Sequence, residues 1–180
     1  PHSSDFFPVH RFVGFARPQT CRKILEQASA LGVERLSFFK AEKGDPSYPN
    51  SRLWTTEEWS KRIDLGVEQA FASFVPTCST HPSLSHALSS LGAEKGLRVA
   101  MDNYEGVGPL AVPKETGDQG IALALGPERG WSPCERELLR SQQFKLHHMG
   151  KRVLRLETAV VSSLSILLAG YWPVVPSEDL

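Results

Sequence analysis

Apolar and polar residues follow two different periods along this chain. Six short apolar runs predict buried β-strands, at residues 10–16, 33–39, 75–79, 97–101, 121–125 and 144–148. Between several of these runs, apolar residues recur three and four positions apart, which predicts amphipathic helices. Strands that alternate with helices form a mostly parallel sheet flanked by helices, so the pattern predicts an α/β fold.

Capping residues, glycine and proline mark where the helices begin and end. The first predicted helix follows Pro18 and stops at Gly32. A short helix is predicted over residues 82–91, ended by Gly92. Ser132–Glu135 is a capping box with proline at the first helical position, so a helix starts directly after the glycine-rich loop before it.

A further capping box is predicted at residues 55–58. The helix that it opens has a predicted inner face of Trp59, Ile63, Val67, Ala70 and Phe71. The last predicted helix, residues 157–169, is apolar on nearly every side. Such a helix needs cover, which indicates burial against another surface such as a second subunit.

Two segments are predicted as long loops. Residues 40–54 contain glycine, asparagine and two prolines. Residues 102–120 hold four glycines and two prolines and are too long for a mere connector.

The composition is that of an ordinary globular domain, with 180 residues, 41% of them hydrophobic and 22% charged. The apolar runs are too short for a membrane span. Three cysteines without a Cys-x-x-Cys pair argue against a disulfide framework and a structural zinc site, and predict a reducing compartment. A cytoplasmic location is expected, and the sequence leaves open whether the host compartment is the bacterial cytoplasm or an organelle. His147 and His148 are adjacent on a strand and so point to opposite faces, which disfavours a metal site.

Two loops near the carboxyl end are the best candidate for a small-molecule site. The first, starting at Gly126, follows one apolar strand, and the second, starting at Met149, follows the next; each leads into a helix. In open α/β sheets, ligands bind where such loops cluster at the carboxyl ends of strands. There is no Gly-Lys-Ser/Thr and no Gly-x-Gly-x-x-Gly, so nucleotide hydrolysis is not expected.

The paired motifs carry a resemblance. Gly126-Pro-Glu-Arg-Gly-Trp-Ser132, followed by Gly150-x-Arg-Val-Leu-Arg-x-Glu-Thr-Ala159, resembles the RsmE family of SPOUT-class methyltransferases. Arg17–Leu36 is similar to that family's first helix and second strand, and Gly66–Ala70 to its next helix. The resemblance implies methylation of N3 of a uridine in small-subunit ribosomal RNA, with S-adenosylmethionine as donor and ribosomal RNA or the small ribosomal subunit as partner. It also implies a deep C-terminal trefoil knot and a homodimer.

The resemblance sets the expected domain organisation. Residues 10–172 are predicted as the methyltransferase domain, with residues 1–9 and 173–180 as terminal tails. Members of the family usually carry a small β-barrel RNA-binding domain before this one. Because the chain begins at Pro1, without an initiator methionine, we expect it to be a domain cut from something longer.

The resemblance and the chemistry of individual residues together predict which residues form the site. Arg155, Arg129 and Glu128 are the catalytic candidates: the two arginines would stabilise charge on the uracil oxygens, and the carboxylate would accept the N3 proton. Backbone amides and apolar side chains of the two loops would hold the donor. The predicted donor-binding residues are Leu125, Gly126, Pro127, Glu128, Gly130, Met149, Gly150, Val153, Leu154, Arg155 and Thr158.

Several alternatives remain open at this point. Val153 and Leu154 fit a plain core equally well, and Arg155 fits a pairing with Glu157 or Glu128. Arg136 and Arg140 are expected on a solvated helix face with Glu and Arg pairs.

Two departures from the family pattern bear on function. Residues 68–76 lack the usual arginine, and Arg129 replaces a glycine found in many members. A catalytically weak RNA- or ribosome-binding module is therefore the second candidate function.

Overall fold

Six parallel strands form one sheet in the computed structural model, which describes residues 6–91, 96–113 and 120–172. The strands are ordered β3-β2-β1-β5-β4-β6, and each paired neighbour runs parallel. The predicted parallel sheet is confirmed. The strand bounds are β1 (Phe7–Gly14), β2 (Val33–Phe39), β3 (Thr77–His81), β4 (Leu97–Met101), β5 (Ile121–Leu125) and β6 (Lys145–His147).

Helices cover both faces of the sheet. The helix bounds are α1 (Pro18–Ala30), α2 (Arg52–Thr55), α3 (Glu58–Gln69), α4 (Leu84–Leu88), α5 (Pro133–Ser141) and α6 (Leu156–Leu168). One apolar core joins the sheet to α1, α2, α3 and α6, and a second joins the opposite face to α4 and α5. The central strand β5 is buried at all five positions, as a strand covered on both faces requires.

The edges of several predicted elements were wrong by a few residues. β1 begins at Phe7 and ends at Gly14 rather than spanning 10–16, and β3 occupies 77–81 rather than 75–79. β6 is shorter at both ends than the predicted 144–148. The strands at 33–39, 97–101 and 121–125 have their predicted bounds.

The capping box predicted at residues 55–58 was wrong. The chain already makes a helical turn at α2, and the hydroxyls of Thr55 and Thr56 donate back to the carbonyls of Ser51 and Arg52. The residue before α3, Glu57, makes no capping bond through its side chain. Thr55 is therefore the last residue of α2 rather than the cap of α3, and it is the Thr56 hydroxyl that accepts the amide hydrogen of Glu58, at 3.3 Å.

The inner face predicted for this helix was wrong at its carboxyl end. Ile63 and Val67 are buried, but α3 ends at Gln69. Phe71 follows in the left-handed region, with φ of 53°, and is 97% exposed. A reversal of the backbone after the helix therefore carries this side chain away from the core.

The predicted loop at residues 40–54 contains a 3₁₀ turn, Tyr48–Asn50, and most of α2. The short helix predicted at 82–91 is α4, which begins after the capping residue Ser83 and ends at Leu88; Gly92 lies outside the described residues. Among the described residues, no helix is both long and apolar enough to cross a membrane.

The carboxyl ends of the parallel strands lie at one edge of the sheet. β1 and β5 meet there closely: a Cβ atom added at Gly14 would lie 2.8 Å from the Pro127 nitrogen. After β4, the chain runs along β6, where Leu110 donates its amide hydrogen to the carbonyl of His148 at 2.8 Å. The loops that follow β4, β5 and β6 are thus brought together.

Candidate active site

A cavity of about 370 Å³ lies at the carboxyl ends of β4, β5 and β6. Three chain segments wall it, one after each of these strands. Its lining residues are Met101, Asp102, Asn103, Tyr104, Leu125, Gly126, Glu128, Arg129, Gly130, Trp131, Met149, Val153, Leu154, Arg155, Leu156 and Ala159. A second cavity, of about 200 Å³, lies at the amino ends of the strands and contacts none of the predicted site residues.

The loop after β5, residues 126–132, is anchored by Trp131. This side chain is 1% exposed, stacks on Phe39 and donates its indole hydrogen to the carbonyl of Met101 at 2.9 Å. Gly126 packs against the same indole: a Cβ atom there would lie 3.2 Å from the ring. The tryptophan thus ties the loop after β5 to the end of β4.

A tight turn shapes the cavity side of this loop. The amide of Gly130 donates to the carbonyl of Pro127 at 2.8 Å, and Gly130 has φ of 69°, a conformation that favours glycine. The Gly130 amide is therefore already used within the turn. One carboxylate oxygen of Glu128 accepts the amide hydrogen of Arg17 at 3.1 Å, and Arg17 is the residue that precedes α1. Glu128 thus lies at the amino end of α1.

The helix after this loop begins with the predicted capping box, which is confirmed. The Ser132 hydroxyl accepts from the amide of Glu135 at 3.0 Å, and the Glu135 carboxylate accepts from the amide of Ser132 at 2.9 Å. The other oxygen of Glu135 accepts the amide hydrogen of Glu42 at 3.0 Å. The cap therefore also holds the segment after β2.

The loop after β6, residues 149–155, is far more exposed. Gly150 has φ of 87°, and a Cβ atom there would enter open space. Its amide donates to the Nδ1 atom of His148 at 3.1 Å. Val153 is 77% exposed, so the core alternative for this residue was wrong. Leu154 is half-buried and lines the cavity.

Most of the predicted site residues meet at the cavity. Those that line it are Leu125, Gly126, Glu128, Arg129, Gly130, Met149, Val153, Leu154 and Arg155. Three do not line it: Pro127 is buried against Gly14, Gly150 lies in the exposed loop, and Thr158 is exposed on α6.

Arg155 immediately precedes α6 and is exposed at the cavity. Within the part of the chain that the structure describes, it forms no salt bridge. Its expected partners are bonded elsewhere: Glu157 pairs with Lys23 at 3.3 Å, and Glu128 accepts from the backbone of Arg17. Neither carboxylate therefore forms a salt bridge with Arg155, although the Arg155 charge is among the causes that lower the pKa of Glu157, after its own backbone hydrogen bond and Lys23.

The cavity wall after β4, formed by Asp102, Asn103 and Tyr104, was missing from the predicted site. Asp102 is buried and receives two hydrogen bonds from the guanidinium of Arg136, at 2.5 and 3.3 Å. Arg136 is 7% exposed, so the solvated helix face expected for it was wrong. Arg140, on the same helix, is exposed and pairs with Glu105. The length of the 102–120 loop was the only sequence signal for this wall, because the pairing spans 34 residues.

The Asp102 carboxylate is held in its charged form. Burial alone would raise the pKa of Asp102, but the hydrogen bond from Arg136 and the backbone amides of Tyr104 and Glu105 keep it below its ordinary value. The Tyr104 amide donates to the carboxylate at 2.8 Å. The carboxylate therefore fixes the start of the loop, including the tyrosine that lines the cavity.

Sequence comparisons agree with this architecture. A family described as RNA methyltransferase domain matches residues 3–168. The ribosomal RNA small subunit methyltransferase E of Treponema pallidum is 32% identical over 167 residues, which cover 91% of this chain and 62% of that protein. Its namesake in Aquifex aeolicus is 34% identical over 151 residues, covering 83% of this chain and 63% of the relative. The chain thus spans somewhat less than two thirds of these relatives.

Structural comparisons show the same fold. The ribosomal RNA small subunit methyltransferase E of Neisseria gonorrhoeae, solved with S-adenosyl methionine, superposes with a TM-score of 0.79 at 19% identity, over 92% of this chain and 67% of that one. A putative methyltransferase of Legionella pneumophila, also solved with this cofactor, gives 0.74 at 22% identity, over 91% and 67%. The predicted resemblance is confirmed, and the chain belongs to the RNA methyltransferase domain family.

Proposed function

We propose that this chain transfers a methyl group from S-adenosylmethionine to N3 of a uridine in small-subunit ribosomal RNA. The observation that carries the proposal is the cavity between the loops after β5 and β6, with Arg155 at its edge, in a chain of this family. Relatives named ribosomal RNA small subunit methyltransferase E support the substrate class.

The cavity suits the proposed donor. Its volume of about 370 Å³ lies within the roughly 300–1,000 Å³ of small-molecule sites. Leu125, Met149 and Leu154 offer apolar surface for an adenine, while the turn at Gly130 brings backbone to the cavity edge without a side chain. When bound, S-adenosylmethionine supplies a methyl group already activated on a sulfonium.

The chain's own residues would then prepare the acceptor. The N3–H bond of uridine must break and the N3–methyl bond form as the methyl–sulfur bond breaks, leaving S-adenosylhomocysteine. Loss of the N3 proton places negative charge on the flanking carbonyl oxygens. Arg155 and Arg129 reach the cavity as cations and would stabilise this charge.

Glu128 remains the candidate acceptor for the N3 proton. One of its oxygens already accepts a hydrogen bond from the Arg17 amide at 3.1 Å. This bond supports a second role for Glu128, in holding the loop against α1.

A homodimer, with α6 at or near the interface, belongs to the same proposal. α6 buries Leu156, Val160 and Leu164 in its own chain, and Ile166 packs partly against the same core, but Val161 remains apolar and half-buried. Light scattering at micromolar concentration should report about twice the 19.9 kDa chain mass, and a clean monomer would refute the dimer. The trefoil knot, the 10–172 domain bounds and a cytoplasmic location remain proposals; three free cysteines support a reducing compartment.

The second candidate function is a catalytically weak RNA- or ribosome-binding module. It is favoured by the arginine-free segment 68–76, where Phe71 and Val75 are exposed instead of a basic side chain. Titration with S-adenosylhomocysteine, followed by methyl transfer to unmodified small-subunit RNA, separates the two. Donor binding with transfer to N3 supports the enzyme, whereas donor binding without transfer supports the module.

A further inference from the structure

The wall after β4 offers an aromatic face to the cavity. Tyr104 lines the cavity and is 80% exposed, whereas the other aromatic residue there, Trp131, is 1% exposed and stacked on Phe39. The Arg136 guanidinium approaches the Tyr104 ring, but most of the ring remains exposed. Proteins that bind single-stranded RNA use such rings to stack unpaired bases.

The ring is held in place before any ligand arrives. Its amide is bonded to the buried Asp102 carboxylate at 2.8 Å, and Arg136 fixes that carboxylate from α5. The guanidinium carbon of Arg136 also lies over the Tyr104 ring, 5.9 Å from its centroid. An ion pair buried at this depth positions the loop and so reduces the ordering cost of binding.

The loop after β5 approaches the ring. A Cβ atom added at Gly130 would lie 3.8 Å from a carbon of the Tyr104 ring, an ordinary van der Waals contact. Arg129 and Arg155, the two candidate cations, line the same cavity. A flat base against Tyr104 would therefore share the cavity with the donor loop and with the charges proposed to stabilise its oxygens.

We propose that Tyr104 is the stacking residue for the target base, and that the Asp102–Arg136 pair positions it. This inference rests on the proposed function, since it names the acceptor side of the same site. It assigns the cavity two sides: the loops after β5 and β6 hold the donor, and the wall after β4 receives the uracil.

The test uses three variants of the full chain: Tyr104→Ala, Tyr104→Leu and Tyr104→Phe. Val107→Ala is the matched control, because Val107 is 84% exposed in the same segment and does not line the cavity. Affinities for S-adenosylhomocysteine and for a short uridine-containing RNA are measured separately, together with single-turnover methyl transfer.

Stacking of one base predicts that Tyr104→Ala and Tyr104→Leu lower RNA affinity and transfer at subsaturating RNA by about 5- to 150-fold. Tyr104→Phe and Val107→Ala should stay near wild type, and all four variants should bind S-adenosylhomocysteine normally. Full RNA affinity in Tyr104→Ala overturns the inference. So does wild-type behaviour of Tyr104→Leu, or a loss confined to donor affinity.

The same measurements distinguish failure of the inference from failure of the proposed function. A wild-type chain that binds RNA through Tyr104 without transferring methyl groups retains the stacking role and loses the enzymatic one. Transfer that persists unchanged in Tyr104→Ala retains the enzyme and removes the stacking role. A wild-type chain that binds no RNA overturns both.

Discussion

The two loops proposed to hold the donor are built in opposite ways. The loop after β5 is tied to its surroundings by the buried Trp131, by the Ser132–Glu135 cap and by the bond from Arg17 to Glu128. The loop after β6 has an exposed Val153 and leads into α6 from Arg155, whose side chain makes no capping bond. The first loop is held by contacts with three other parts of the fold, whereas the second is largely exposed.

The largest expected difference is in folding stability. Trp131→Ala removes a fully buried indole and leaves the Met101 carbonyl without its donor, so we expect a loss of about 3–5 kcal/mol in the free energy of unfolding. Val153→Ala, in the exposed loop, should change it by less than about 0.5 kcal/mol. Urea denaturation measures both. Similar losses would show that the second loop is as well anchored as the first.

The rate of methyl transfer should instead depend strongly on the exposed loop after β6. Arg155→Ala should raise the barrier to methyl transfer by ~2.7–4 kcal/mol, a rate loss of about 10²–10³-fold, with little change in donor affinity. Arg155→Lys should recover little, because a point charge does not replace a planar fork of donors. Single-turnover kinetics measures the rate.

Arg152→Ala is the matched control for this experiment, because Arg152 is exposed in the same loop and does not line the cavity. Wild-type turnover in Arg155→Ala would remove Arg155 from the mechanism and pass its role to Arg129. A parallel fall in donor affinity and rate would instead indicate a structural role.

The sequence predicted these two loops better than it predicted their surroundings. The Ser132–Glu135 cap was predicted correctly because all its partners lie within four residues. The similar pattern at residues 55–58 failed because Thr55 is still part of α2 and its hydroxyl bonds to the Ser51 carbonyl, which spacing alone does not reveal.

Local sequence patterns could not predict the cavity wall after β4. Asp102 and Arg136 meet only because β4 and β5 are neighbours in the sheet, with α5 following β5. Strand order is set by tertiary packing and leaves no periodic trace in the sequence. Helical spacing predicted a solvated Arg136 for the same reason, since the carboxylate that buries it lies on another element.

Donor binding should depend on both loops. S-adenosylhomocysteine at 100 times its dissociation constant should stabilise the wild-type fold by ~2.7 kcal/mol. Gly130→Val and Gly150→Val should abolish this gain. Both glycines have positive φ, where a β-branched residue costs about 1–3 kcal/mol in strain, so valine should shift the loop backbone that is proposed to hold the donor. Thermal melts with and without ligand, supported by calorimetry, measure the gain. Unchanged donor affinity in both variants would remove the loops from the site.

The smallest expected effect separates stability from function at one residue. Arg155 occupies the capping position of α6 with φ of −63° and ψ of 150°, a geometry in which serine caps a helix well. Arg155→Ser should therefore be more stable than Arg155→Ala by about 1 kcal/mol, as measured by urea denaturation. Both variants should lose methyl transfer to the same extent. An arginine kept where a better cap would fit indicates that the residue serves the reaction; recovery of turnover in Arg155→Ser alone would instead show that the start of α6 limits the rate.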